Sequence, residues 1–300
     1  MRVLVTGAGG LLGGRLAEEL HASGLEVIAV HRGAPPPAGP RAVRAELVGP
    51  GALERLLDAE RPQAVVHAAA MAQANLCQLG PEAAEAVNAL LPGTLAALCH
   101  ERGLRLVALS TDLVFSGERS GVSEGDPPGP LGVYGRTKRA GEQALLAAYP
   151  TAAVARVALV TGRGHGARGT SSESVAWAIA SGQPVTLFTD EYRTPVDAAS
   201  VADAIRRLLE RGGAGVFHLG GPERLSRFDL GRRVAGALGL DEAVLIAARQ
   251  ADYPGPEPRA ADVALDSTRA RRELGWQPMP LDAALRGSRR SRPGDAPGSR

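Results

Sequence analysis

Residues 2–13 read Arg2-Val3-Leu4-Val5-Thr6-Gly7-Ala8-Gly9-Gly10-Leu11-Leu12-Gly13, an apolar run that breaks at once into a glycine turn. The run is short and rich in β-formers, as a buried strand requires. Beyond the turn, Leu12, Leu16 and Leu20 recur at helical spacing. The order is therefore strand, glycine turn, helix. Gly7, Gly10 and Gly13 keep a three-residue beat, and Leu12 breaks the G-x-G-x-x-G form. Such glycines let the backbone approach a pyrophosphate, and the helix N-terminus supplies N–H groups and partial positive charge. In a chain with 38 glycines the pattern gains its weight from following the first strand.

The same alternation continues. Leu25–Val30 reads as a second strand ending in His31-Arg32. An acid at that place would accept the ribose 2′-hydroxyl of NAD; Arg32 suits a 2′-phosphate, so NADP(H) is favoured over NAD(H). The plainer reading of Arg32 is an exposed arginine ahead of Pro35-Pro36-Pro37. Residues 52–59 read as a helix and 64–67 as a third strand, which ends in three alanines small enough to leave room for a cofactor. A helical stretch over 82–102 is interrupted at Pro92-Gly93. A fourth strand, 104–109, ends in Ser110-Thr111-Asp112, with no helical pattern after it. A Gly/Pro/Ser loop (116–132), a helix carrying Tyr134 and Lys138, and a fifth strand (152–160) complete the series. This pattern specifies an α/β fold of Rossmann type, a doubly wound parallel sheet.

Tyr134-Gly135-Arg136-Thr137-Lys138 contains the only lysine; the other 33 basic side chains are arginines. Lys138 therefore marks a position where a guanidinium will not serve. Positions i and i+4 share a helix face, so phenol and ammonium can point into one site. A nearby ammonium is expected to lower the tyrosine pKa and fit it for proton transfer. The alternative is a solvent-facing lysine beside a half-buried tyrosine.

Residues 1–161 are read as the nucleotide-binding domain. A plausible mobile loop (162–172) opens a second part, 162–285, read mainly as a smaller substrate-binding lobe. A segment near 196–219 is expected to return to the first sheet. Residues 286–300 are low-complexity, Arg-rich and expected to be disordered. They hold five arginines against one acid, so the +2 net charge leaves a mildly acidic body of −2, which argues against a nucleic-acid binder. Two cysteines make no disulfide framework, and six scattered histidines make no metal site. No signal peptide or membrane span is evident, so the expected location is cytoplasmic.

Four motifs in order, VTGAGGLLG (5–13), HAAA (67–70), STDLVFSG (110–117) and YGRTK (134–138), resemble the extended short-chain dehydrogenase/reductase superfamily. STD-x-VF with YGRTKRAGE, RTPV (193–196) and LDSTRARRELGWQP (265–278) is most similar to the dTDP-4-dehydrorhamnose reductase branch. The resemblance implies Tyr134 as proton donor, with Lys138 binding the nicotinamide ribose and lowering the Tyr134 pKa. It implies Thr111 bonding the substrate carbonyl, with Asp112 and Arg193 on the substrate side. Gly10, Leu11 and Leu12 would lie under the pyrophosphate, Glu46 and Leu47 beside the adenine, and Ala69, Ala70 and Met71 along the cofactor. The expected partner is a sugar nucleotide, with homodimerisation left open. Leu113 and Ser116 stand where the branch usually has an aromatic and an acid, and Asp190 to Val196 departs from its D-Q-x-G-x-P-T. Two alternatives follow the same resemblance: an NADP-binding regulatory subunit like the methionine adenosyltransferase β subunit, and a sugar-nucleotide epimerase. The complete Thr111, Tyr134 and Lys138 set speaks against the first, and Leu113 after Asp112 speaks against a dehydratase.

Overall fold

Strand β1 (Arg2–Thr6) is buried from Val3 onward and pairs in parallel with strands on both sides. One neighbour is β2 (Glu26–His31), and β2 pairs onward with β3 (Arg41–Arg44). The other is β4 (Ala64–His67), followed by β5 (Arg105–Thr111), β6 (Ala153–Val157) and the strand Gly215–Leu219. These make one seven-stranded parallel sheet. The computed structural model describes residues 1–166, 169–252, 255–256 and 258–286.

Strand side chains alternate between two cores, as a period of two demands. Val3 and Val5 pack with Leu16, Ala17 and Leu20 of helix α1 (Leu11–Ala22), and with Val201, Ile205 and Leu208 of the helix Ala198–Arg211. Leu4, Ile28 and Val65 face the other way. They meet Leu53 and Leu57 of α2 (Ala52–Glu60), together with Leu95 and Leu145 from two later helices. A third cluster, with Val175, Ile179, Leu230 and Val234, joins the helices Ser171–Ala180 and Arg227–Leu238.

Several elements differ from the sequence reading. β3 was absent from it: only Val43 in that strand packs inward, and an edge strand with one apolar contact shows no alternation. Helix α3 (Ala74–Leu79) was also absent. The stretch read as interrupted at Pro92 runs on without a break. Helix α4 (Pro81–Glu85) passes through a π-helical turn, Ala86–Leu90, into α5 (Leu91–Glu101). Pro92 directly follows the π-helical turn, where the hydrogen-bond ladder already changes register. A single 3₁₀ turn, Asp112–Val114, follows β5 where no helix was expected. The 162–172 segment is tied down at its described residues: the His165 N–H donates to the Leu11 carbonyl at 3.0 Å, and Thr170 and Glu173 form a capping box. Arg286 ends the helix Leu281–Arg286, and the rest of the Arg-rich tail lies outside the described residues. Among the described residues no helix is long and apolar enough to cross a membrane.

Two histidines tie this core to pH. Burial, then the Lys138 charge, holds His67 down from 6.5 to about 3. Burial, then Arg156, holds His218 down to about 4. As pH falls below 6.5 the unfolded chain takes up protons that the folded one refuses. Stability is thus full above that value and drains away toward pH 4. Urea unfolding at pH 7 and pH 5 should show a loss on the order of 2 kcal/mol per histidine. Equal stability at the two values would mean that neither ring is held neutral.

Candidate active site

The glycine turn is built on backbone contacts that a side chain would forbid. Gly7 sits at φ +70, and a Cβ there would meet the Ala69 Cα at 2.7 Å. A Cβ on Gly13 would come within 2.2 Å of the Gly7 carbonyl oxygen, so α1 lies directly on the turn. The Gly10 N–H closes the bend on the Gly7 carbonyl at 2.9 Å. Gly10 caps α1 with no side-chain hydrogen bond, so the first helical N–H groups have no capping side chain. A bend with three glycines and one buried alanine, opening onto a helix N-terminus, fits the diphosphate of a dinucleotide.

The β2 end carries Arg32, exposed, and no acid. The unforeseen β3 brings a second arginine beside it. Arg44 pairs in register with His31, and its Nε donates to the Arg32 carbonyl at 3.1 Å. Glu46 is exposed and turns back, accepting from the Leu47 N–H at 3.2 Å, while Leu47 is half-buried. No sequence signal marked Arg44, because its strand was not legible.

The ends of β1, β4 and β5 lie side by side, with Thr6 opposite His67 and His67 opposite Ala108. The Thr6 hydroxyl meets His67 Nδ1 at 2.9 Å and accepts from the Ala68 and Ala69 N–H groups, fixing the HAAA bend. Asn88, from the π-helical turn, fixes the next step. Its amide clasps both backbone groups of Met71, at 2.9 and 3.0 Å, and reaches Thr137 at 3.3 Å. Ala69, Ala70 and Met71 thereby form a half-buried ledge next to the glycine turn.

Helix α6 (Val133–Ala148) carries Tyr134 and Lys138. Two glycines seat it closely: a Cβ on Gly135 would strike the Leu113 carbonyl at 2.2 Å, and one on Gly141 the Asn88 carbonyl at 2.1 Å. Thr111 ends β5. Its hydroxyl donates to Asp112 Oδ1 at 3.1 Å and accepts from the Leu113 N–H at 3.2 Å, so it also serves as a turn cap. Tyr134 lies beside this hydroxyl, the neighbour that most favours its phenolate. Burial outweighs it. Helped by the Asp112 charge, burial drives the Tyr134 pKa well above the ordinary phenol range. This corrects the expectation that Lys138 lowers it. The Lys138 ammonium turns instead to the Leu109 carbonyl, at 2.8 Å, with Glu142 the charge that favours its protonated form. Burial lowers the Lys138 pKa from 10.5 to about 8.

Asp112 is 5% exposed, and burial raises its pKa despite the opposing charge of Arg193. Arg193 stands behind it rather than open to a ligand. Its Nε is 3.8 Å from Asp112, and its other nitrogens go to Glu191 at 3.2 Å, the Tyr192 carbonyl at 2.7 Å and the Ala260 carbonyl at 3.2 Å. Glu191 in turn binds Arg259 at 2.6 Å. No group of three or more potential metal ligands occurs among the described residues.

A family model described as the RmlD substrate binding domain matches residues 1–289. A probable low-salt glycan biosynthesis reductase, Agl14, of Haloferax volcanii is 33% identical over 95% of this chain and 96% of its own. The dTDP-4-dehydrorhamnose reductase of Mycobacterium tuberculosis is also 33% identical, over 89% of this chain and 85% of its own. Among solved structures, MoeE5 in complex with UDP-glucose and NAD superposes with a TM-score of 0.81 at 26% identity, covering 96% of this chain and 97% of that one.

A buried ammonium should weigh on the fold. With its folded pKa below 10.5, the charged form is disfavoured at pH 7 and stability is regained only as pH rises past about 8. Lys138→Met should therefore raise stability at pH 7 by about 2 kcal/mol, or roughly 5 °C in melting temperature. Calorimetry reads this directly, and a lower melting temperature would show the ammonium to be net stabilising.

Proposed function

The chain belongs to the RmlD substrate-binding-domain family, a family of nicotinamide-dependent oxidoreductases, and from that premise we propose that it reduces the 4-keto group of a nucleotide-linked 6-deoxy sugar with NADPH. The observation that carries this reading is that Thr111, at the end of β5, and Tyr134, on the first turn of α6, lie side by side at the same edge of the sheet as the glycine turn that ends β1.

The residues present suit the cofactor. Gly7, Gly10 and Gly13 would leave its diphosphate room, Arg32 and Arg44 would take a 2′-phosphate, and Lys138 would hold a ribose hydroxyl on turning from the Leu109 carbonyl. The bound nicotinamide supplies the hydride. The protein supplies what the carbonyl oxygen then needs. Tyr134 is one hydroxyl donor, and Thr111 becomes a second when its proton turns from Asp112 to the substrate oxygen; together they stabilise negative charge as it develops there. Tyr134 completes the step: its O–H bond breaks, the proton passes to the oxygen, and a hydroxyl group is formed. The raised Tyr134 pKa serves this direction, because it keeps the phenol protonated until an alkoxide, a stronger base than any phenolate, is there to take the proton. Asp112 discourages a lasting phenolate beside it.

Tyr134→Phe should retain NADPH binding while turnover of a dTDP-linked 4-keto-6-deoxy sugar falls by roughly 10²-fold or more. Undiminished turnover in that variant, followed by NADPH absorbance, sinks the assignment. Arg32→Ala and Arg44→Ala should each weaken NADPH binding about tenfold. NADH binding should not change. Equal losses for both cofactors in titration calorimetry would remove the 2′-phosphate role.

A further inference from the structure

Beneath Lys138 lies a cavity of about 10 Å³, and every residue lining it is buried. That is room for about one water molecule. Its polar wall consists of His67, Asn88, Ser110, Lys138 and Glu142. His67 Nε2 has no hydrogen bond among the described residues, and Ser110 Oγ, which has none of good geometry, lies beside the Glu142 carboxylate. His67 and Ser110 are more than nine-tenths buried, at 1% and 8% exposed.

The histidine tautomer follows from its neighbours. The Thr6 hydroxyl oxygen already accepts from two backbone N–H groups, so its own proton goes to His67 Nδ1. The ring is neutral, so its proton sits on Nε2 and faces the cavity. A buried N–H with no acceptor is costly, and one water oxygen resolves it. The same water can accept from Lys138 and donate to Glu142 and to Ser110, which fills its hydrogen-bonding capacity.

The charges around this cavity are unbalanced without Glu142. β4 contributes His67, the π-helical turn Asn88, β5 Ser110, α6 Arg139 and Glu142, β6 Arg156, and the strand Gly215–Leu219 His218. His67 and His218 are neutral, because burial holds them at about 3 and about 4. Lys138, Arg139 and Arg156 are cations. Glu142 is the single anion in the set. It is 3% exposed and bound by Arg156 at 2.9 and 2.8 Å and by Arg139 at 2.9 Å.

We propose that the cavity is a one-water site through which the Glu142 carboxylate, anchored by Arg156, holds Lys138 in its charged form. Glu142 is thereby a positioning residue for Lys138. The inference deepens the proposed reductase reading and rests on it for its meaning, but its test needs neither cofactor nor sugar.

Because Lys138 is the only lysine, protein labelled with ¹³C-lysine gives one ε-methylene signal, and its pH titration reports that ammonium alone. The wild-type midpoint should fall near 8. Glu142→Gln should lower it by about one pH unit, Glu142→Asp should restore most of the difference, and Ser110→Ala should lower it by a few tenths. An unchanged midpoint in Glu142→Gln overturns the proposal. If circular dichroism shows that variant unfolded, an unchanged midpoint in Ser110→Ala overturns it instead. A crystal structure of the wild-type protein should show one ordered water within hydrogen-bonding distance of His67 Nε2 and Lys138 Nζ, and a dry cavity overturns the coupling. None of these outcomes bears on turnover in Tyr134→Phe, so the two readings fail separately.

Discussion

The site depends on keeping one ammonium out of water. Lys138 is 7% exposed, and its nitrogen meets a strand carbonyl rather than solvent. Moving such a charge into the interior costs several kcal/mol unless polar groups replace its hydration. Here the replacements are the Leu109 carbonyl and the Glu142 charge one turn along α6. Glu142 is itself tolerable only because Arg156 binds it through two nitrogens, and Arg156 only because Phe115 and His218 enclose it, with its guanidinium 5.1 Å from the phenyl centroid. The last members of this chain lie far along the sequence from Lys138. The ammonium is therefore housed by contacts that only the assembled sheet provides.

Close backbone approach is the second constraint, and it recurs. Gly7 and Gly13 let α1 sit on the first turn, while Gly135 and Gly141 let α6 sit on the Leu113 and Asn88 carbonyls. The two pairs act together. The first shapes the bend ahead of α1, and the second seats α6 so that Tyr134 lies beside the end of β5. An alanine at any of these four positions would force backbone to move, since each clash is with a main-chain atom. The glycines in YGRTKRAGE are thus part of how the phenol is aimed.

Much of this was legible in the chain. Strand, glycine turn and helix at 2–22 are set by local apolar spacing, and the i, i+4 relation of Tyr134 and Lys138 needs only helical geometry. What escaped depends on partners distant in sequence. Arg44 sits on an edge strand with little apolar pattern, so neither the strand nor the second arginine beside Arg32 could be seen. Asn88 is one of two asparagines, and its grip on Met71 arises from a π-helical turn that propensity does not encode. Arg193 looked available for a ligand because its acceptors, Glu191 and the Ala260 carbonyl, are gathered by tertiary packing.

The sharpest difference concerns the direction of the Tyr134 shift. Spacing alone suggested an ammonium pulling a phenol toward ionisation. In the folded protein burial acts on both groups, and it favours the neutral form of each. The phenol is pushed up and the ammonium is pulled down to about 8. A tyrosine of this kind is a poor base and a well-kept acid. It holds its proton at neutral pH and releases it only to a strongly basic oxygen, which is what hydride addition to a ketone creates. The reverse reaction, oxidation of an alcohol, would need the phenolate that Asp112 and the surrounding apolar atoms oppose. A phenol kept protonated in this way suits the proton donation that the proposed carbonyl reduction requires, and that suitability follows from packing around the phenol.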